Sequence, residues 1–350
     1  MQPSDEEHRA VNQASDPAQQ SLRIVVTDPI ISRFEDKLRT DGGAHQWELA
    51  AAWTPERRLA ALAGADVVIC SSLSREEAQA ASRVRLVHVT GAGYDRISFS
   101  HLVPSASVAN TFHHARPIAE HVLMVTLMLS RNVAVADREV RQGHWHTIAT
   151  ASDVPFHPVL SDMTLGLVGL GSIGAEVARV AGLLGMKVNA VRRNPAAPLP
   201  EGVQPDWVGG NNQLHTLLAS SDVVVLTVPL DADTRGLIGA PELAAMKPSA
   251  FLINVARGPV VDQAALFSAL KERRIAGAGL DVWWGLPADG VIPPAELPFA
   301  SLPNTVLTPH HSGHARITFE RRAGDIAANI GRLARGAELS NLVPRPVPAP

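Results

Sequence analysis

From residue 22 onward the chain alternates short aliphatic, β-branched runs with stretches whose apolar positions recur every three to four residues. The runs "LRIVVTD" (22–28), "ADVVIC" (65–70) and "RLVHVT" (85–90) are bounded by polar or turn-forming residues, the pattern of buried strands. A long helical pattern near 116–141 follows. A second, cleaner series then opens with "TLGLVG", "KVNAV", "DVVVLTV", "AFLINV" and "GAGLDV", starting at residues 164, 187, 222, 250 and 277. Helical segments between these strands include 173–184 and 262–272. Strands alternating with helices imply parallel sheets joined by right-handed crossovers. The expected fold class is therefore α/β, with two doubly wound parallel-sheet domains. The second series makes one domain, 116–305, and the first, 22–115, makes a smaller one. The helical pattern from Ala315 to about Ala334 comes after the second domain is complete. It is expected to cross back, so that 306–343 joins the first domain. Residues 1–21 read as a disordered tail without the apolar stretch of a signal peptide, and 344–350 as a proline-rich end.

Composition narrows the function classes. The chain of 350 residues is 46% hydrophobic and 19% charged, with a formal charge of −3. That charge gives no electrostatic case for nucleic acid or an anionic membrane. The most apolar helical stretch, 118–133, carries Glu120, His121 and Arg131 and is too short and polar to span a bilayer. Cys70 is the only cysteine, at the end of a buried-strand pattern. It reads as a core thiol, and the chain as cytoplasmic.

The chemistry begins at "GLGSIG" (169–174). Gly169, Gly171 and Gly174 form G-x-G-x-x-G between a strand and a helix, with Ser172 and Ile173 inside the turn. The first glycine permits the tight turn, the second lets a pyrophosphate approach the backbone, and the third lets helix and strand pack closely. The helix N-terminus offers unpaired N–H groups to the phosphates. At the end of the next strand, where such turns usually carry an acid for the ribose hydroxyls, stand Arg192 and Arg193. A guanidinium matches a 2′-phosphate, so NADP(H) is favoured and NAD(H) remains possible.

The block "AFLINVARGPVVDQAALFSALKERRIAGAGLDVW" (250–283), with "LPNTVLTPHHSGH" (302–314), resembles the D-isomer-specific 2-hydroxyacid dehydrogenase family. "VTGAGYDRI" (89–97), "IAEHVLMVTLMLSRN" (118–132) and "TVPLDADTRGLIG" (227–239) are similar to that family in its own order. The resemblance implies a Rossmann-like cofactor domain and a flavodoxin-like substrate domain, with a homodimer built largely on the cofactor domains. It implies that Arg257 grips the substrate carboxylate and polarises the carbonyl, and that His310 is the acid/base. Ala92 and Gly93 would hold the carboxylate through backbone N–H groups. Val228, Pro229, Thr234, Val255, Ala256, Asp281 and Ser312 would line the cofactor with His310.

Two positions depart from the family pattern. The glutamate that pairs with the histidine is normally five residues after the aspartate of "LDV", which here is Leu286. Its place would fall to Asp289 or Glu296 only if either folded back. His114 stands where many relatives have an asparagine facing the substrate, and is expected to be a pocket donor. His113, His114, His144 and His146 complete no recognisable metal spacing, so no metal is expected. Three readings follow: an NADP(H)-dependent reductase of a small 2-keto acid such as glyoxylate or hydroxypyruvate, a formate dehydrogenase-like enzyme, or a non-catalytic dinucleotide-sensing protein.

Overall fold

The structure is a computed structural model and describes residues 21–152, 154–285 and 295–345. Its backbone divides into two compact units, one running to Phe112 and resuming at Phe319, the other His113–Thr318. Residues 1–20 of the expected disordered tail, the last five residues of the proline-rich end, Leu286 and Asp289 lie outside the described residues.

The first unit is a five-stranded parallel sheet. Its strands are β1 (Arg23–Val26), β2 (Gln46–Leu49), β3 (Val67–Cys70), β4 (Leu86–Val89) and β5 (Ser107–Ala109), in the order β2-β1-β3-β4-β5. Alternate residues of each strand face opposite helical layers. Ile24, Ile69 and Leu86 pack with Leu38 of α1 (Glu35–Gly42) and with Ile326 and Ile330 of the C-terminal helix Arg316–Ala334. Val25, Val68 and Val87 pack with Leu62 of α2 (Pro55–Leu62) and Ala78 of α3 (Arg75–Ala80). The C-terminal helix thus covers one face of this sheet. Beyond it, Leu342 bridges antiparallel to Ala109, and the Val343 N–H donates to the Val108 carbonyl at 2.8 Å. Cys70 is fully buried, and desolvation pushes its thiol pKa upward.

The second unit has seven parallel strands: β6 (Thr164–Val168), β7 (Lys187–Val191), β8 (Trp207–Gly209), β9 (Val223–Leu226), β10 (Phe251–Asn254), β11 (Gly277–Leu280) and β12 (Thr305–Leu307). Their order is β12-β11-β10-β9-β6-β7-β8. One face packs against α4 (Ala115–Ser130) and α6 (Ser172–Leu183), the other against α7 (Leu214–Ser220), α8 (Ala240–Ala245) and α9 (Gln263–Lys271).

Two expectations are corrected. The helical pattern near 116–141 is not one helix. It is α4 followed by α5 (Val133–Arg141) at 60° to it, because Asn132 sits in the left-handed region at φ 51°. Asparagine tolerates that conformation, and a helix cannot continue through it. The limit set at 305 also cuts through β12, which pairs with β11, so the second unit extends to Thr318. Among the described residues, no single helix is long and apolar enough to cross a membrane.

Candidate active site

The winding of the seven-stranded sheet reverses at β6, with β7 on one side and β9 on the other. Open α/β sheets bind ligands at such a switch point, beyond the carboxyl ends of the strands. The glycine turn lies there. Gly169 has φ +101°, and Thr227 Oγ1 donates to its carbonyl at 2.9 Å. A Cβ on Gly174 would come within 2.4 Å of that same carbonyl oxygen, so only glycine lets α6 start so close to the strand end. Gly171, the N-cap of α6, is the opposite case: nothing lies within 4 Å of a Cβ built there. The N–H groups of the first turn, Ser172 and Ile173 among them, have no acceptor one turn back in the helix and face this space. The turn fits a dinucleotide pyrophosphate.

Arg192 and Arg193 follow β7. The Arg192 guanidinium donates to the carbonyls of Pro195 (3.3 Å), Pro198 (3.2 Å) and Ala197, closing its own loop. Its Nε is buried without an acceptor among the described residues. Arg193 pairs with Asp231 at 2.8 Å and lies 3.7 Å from Asp233. Burial alone would raise the Asp231 pKa, but hydrogen bonds from Arg193, from Thr234 and from the loop N–H groups outweigh it and hold it low. Thr234 ties the same loop together, donating to the Pro229 carbonyl at 2.7 Å and accepting the Asp231 N–H at 2.9 Å. Val228 is half-buried and Pro229 exposed at the end of β9, and Val255 and Ala256 are buried beyond β10.

The expected reacting groups sit on the ends of three adjacent strands. Arg257 follows β10, Asp281 follows β11 and His310 follows β12. With neighbouring strands about 4.8 Å apart, the outer two loops leave the sheet about 10 Å from each other. Asn254, fully buried, shapes the first loop: its amide nitrogen donates to the Arg257 carbonyl at 2.9 Å and its oxygen accepts the Ala256 N–H at 3.0 Å. Arg257 Nη1 donates to the Ala256 carbonyl at 2.8 Å.

Asp281, 1% exposed, shapes the third loop. One carboxylate oxygen accepts from Thr308 Oγ1 (2.7 Å) and the His311 N–H (2.9 Å), and the other from the Ser312 N–H (3.0 Å). Burial raises its pKa, but these hydrogen bonds outweigh the effect and leave it below the usual carboxylate range. His310, between the bonded positions, is exposed and holds φ 57°. His121, on α4, is buried with its pKa lowered by desolvation; its ring stands edge-on to His311 at 5.6 Å. His114 borders the same loop, since a Cβ on Gly313 would lie 3.2 Å from the His114 Cβ.

The tryptophans of "DVWW" point in different directions. Trp283 Nε1 donates to the Thr308 carbonyl at 3.0 Å, while Trp284 Nε1 donates to the Val261 carbonyl at 2.7 Å and its ring stacks on Phe299. In the first unit, Ala92 and Gly93 form a half-buried turn after β4, and Asn110 Nδ2 donates to the Ala92 carbonyl at 2.8 Å. His144 and His146 are exposed, with His146 3.7 Å from Glu139. Sequence reasoning missed Asn254, Thr308 and His121. Asn254 ends β10, Thr308 follows β12 and His121 lies within α4, and only the packing reveals that Asn254 and His121 are buried and Thr308 half-buried.

A glycine turn at a switch point, with guanidinium and imidazole on neighbouring strand ends, defines a dinucleotide-dependent oxidoreductase. Comparison with known proteins makes the class specific. Residues 123–312 match the family model "D-isomer specific 2-hydroxyacid dehydrogenase, NAD binding domain". The chain is 33% identical over 296 residues to a glycerate dehydrogenase of Methylorubrum extorquens, covering 83% of this chain and 89% of that one. It is 35% identical over 291 residues to a glyoxylate reductase of Korarchaeum cryptofilum, covering 79% and 81%. In structure it is similar to an NADPH-dependent glyoxylate/hydroxypyruvate reductase of Sinorhizobium meliloti bound to citrate, with a TM-score of 0.74 at 27% identity, covering 92% and 97%. The chain belongs to the D-isomer specific 2-hydroxyacid dehydrogenase family, and it is an NAD(P)-dependent oxidoreductase.

Proposed function

We propose that the protein reduces a small 2-keto acid, of the glyoxylate or hydroxypyruvate type, with NADPH in preference to NADH. The observation that carries this reading is the pair of locked loops on β10 and β12. Asn254 presents Arg257 and Asp281 presents the backbone around His310, on either side of one strand. The bound dinucleotide supplies the hydride. Arg257 binds the carboxylate with its planar fork and draws electron density toward the carbonyl oxygen, where negative charge grows. His310 gives its proton to that oxygen and takes one back in the reverse direction. Ala92 and Gly93 add backbone N–H groups to the carboxylate, and His114 adds a polar contact beside the His310 loop.

The NADPH preference rests on Arg192 and Arg193 and on the missing acid after β7. A second copy of the chain is the partner this reading implies. Large apolar side chains are exposed at intervals along α4, α5 and the segment after them, including Met124, Val140, Trp145 and Phe156, the last two 75% and 85% exposed. Association with a second copy would remove such surface from water, and light scattering of the purified protein reads the state directly.

The deciding experiment is a steady-state panel of glyoxylate, hydroxypyruvate and pyruvate, with formate as control, against NADPH and NADH. Keto-acid reduction faster with NADPH is expected. Formate-dependent reduction of NADP+ with no keto-acid turnover would replace this reading with the formate dehydrogenase-like one.

A further inference from the structure

The loops carrying Arg257 and His310 meet at one residue that the proposed chemistry does not use. A Cβ on Gly258 would lie 2.1 Å from the Trp283 carbonyl oxygen and 2.7 Å from the Trp284 nitrogen. The residue after Arg257 therefore rests directly on the backbone of Trp283, at a distance that no side chain could share. From the same residue, the Trp283 indole N–H reaches across to the Thr308 carbonyl at 3.0 Å. Thr308 is consequently held at three points: its N–H by the Leu280 carbonyl at 2.9 Å, its hydroxyl by Asp281 at 2.7 Å, and its carbonyl by Trp283. Two residues later the chain turns through the left-handed conformation at His310. A non-glycine residue holds that conformation only where its flanks are over-determined.

We propose that Trp283 is a positioning residue that couples the Arg257 loop to the His310 loop. Its backbone is the seat of Gly258, and its indole N–H fixes the peptide from which His310 departs. The proposal rests on the reading that Arg257 and His310 serve the substrate. It also accounts for a feature of the sequence: position 286 carries leucine where the family pattern has the glutamate that orients the histidine. Trp283 and Asp281 hold the backbone beneath the His310 loop. Phenylalanine at 283 would keep the aromatic packing and the backbone seat but remove the only donor to the Thr308 carbonyl from that side chain.

The test compares Trp283→Phe and Trp283→His with the unaltered enzyme, using full kinetics and a dinucleotide titration. One half-buried hydrogen bond released next to the acid/base is expected to lower kcat about five- to tenfold in Trp283→Phe. Dinucleotide Kd stays within about twofold, because the glycine turn is untouched, and the limb of the kcat/KM–pH profile that reports His310 moves. Trp283→His, which keeps a ring N–H, is expected to recover part of kcat. A lowered Tm with kcat and pH profile both unmoved would reduce Trp283 to a packing residue and overturn the proposal. The His310 resonance, assigned by its loss in His310→Gln, is followed by NMR through a pH titration in the dinucleotide complex. This readout does not depend on turnover. If the unaltered protein reduces no 2-keto acid, the functional reading fails. The positioning role then stands if Trp283→Phe displaces the His310 titration and falls if the titration is unchanged.

Discussion

Replacing Gly171 with alanine separates the folding of the glycine turn from its binding. The substitution adds one methyl group at the N-cap of α6, where φ is −84° and nothing lies within 4 Å of the new atom. Alanine caps a helix less well than glycine, at a cost of up to about 1 kcal/mol, and the stiffer unfolded chain returns roughly 0.4–1 kcal/mol. Thermal unfolding without dinucleotide should therefore barely change. With a pyrophosphate against the backbone, the same methyl intrudes on a filled site. Overpacking of that kind costs about 1–3 kcal/mol, which weakens dinucleotide binding roughly 5- to 150-fold. Gly174→Ala is the internal control. Its Cβ would meet the Gly169 carbonyl oxygen at 2.4 Å in the absence of any ligand, so both melting temperature and affinity should fall. The assay is fluorescence or calorimetric titration with NADPH and NADH, beside melts of the dinucleotide-free proteins. Gly171→Ala with unchanged affinity for both dinucleotides would refute the assignment of the open space to the pyrophosphate.

Three further outcomes are expected. Arg192→Asp restores the acid usual after the second strand of such turns and should shift the NADPH/NADH ratio of kcat/KM toward NADH; an unmoved ratio removes Arg192 from phosphate recognition. Asp281→Asn replaces an acceptor with an amide that meets the N–H groups of the His310 loop donor to donor, costing about 1–3 kcal/mol in urea unfolding and lowering kcat. Its carboxylate contributes stability that is complete above the usual carboxylate range and is lost as pH falls through its lowered value, so the gap between variant and parent should close in acid. His88 is fully buried, its Nε2 accepting from Asn329 at 3.1 Å and its Nδ1 facing the Val89 carbonyl at 3.3 Å. Desolvation pushes its pKa from 6.5 down to about 4. Between those values the unfolded chain binds a proton that the folded one refuses, so stability falls by up to about 3 kcal/mol as pH drops through that window. The difference in urea midpoint between parent and His88→Gln should depend on pH there, and a constant difference would contradict a neutral buried imidazole.

Which parts of this molecule were legible in its sequence follows a physical line. The eight strand runs read from β-branched patterning became β1, β3, β4, β6, β7, β9, β10 and β11, all of them interior to a sheet. The four strands that patterning missed, β2, β5, β8 and β12, are the four sheet edges. Interior strands of a covered parallel sheet are buried on both faces and show as unbroken apolar runs; edge strands are short, and burial is less complete along them. "QWEL" and "WVG" carry no such run. The glycine turn was legible because two of its glycines answer local backbone demands, the left-handed φ at Gly169 and the 2.4 Å approach at Gly174, and the third leaves open space at the start of α6. The break between α4 and α5 was not, because Asn132 is compatible with a helix and leaves it only in its tertiary setting. Nor could the direction of the two indoles be read, or the burial of Asn254, Asp281 and His121. A polar side chain is hydrogen-bonded because the chain folds over it, and that depends on contacts far apart in sequence, as between Trp283 and Thr308. The sequence alone determined which chemical groups are available and which strand ends bear them; the tertiary structure decided what holds those groups still.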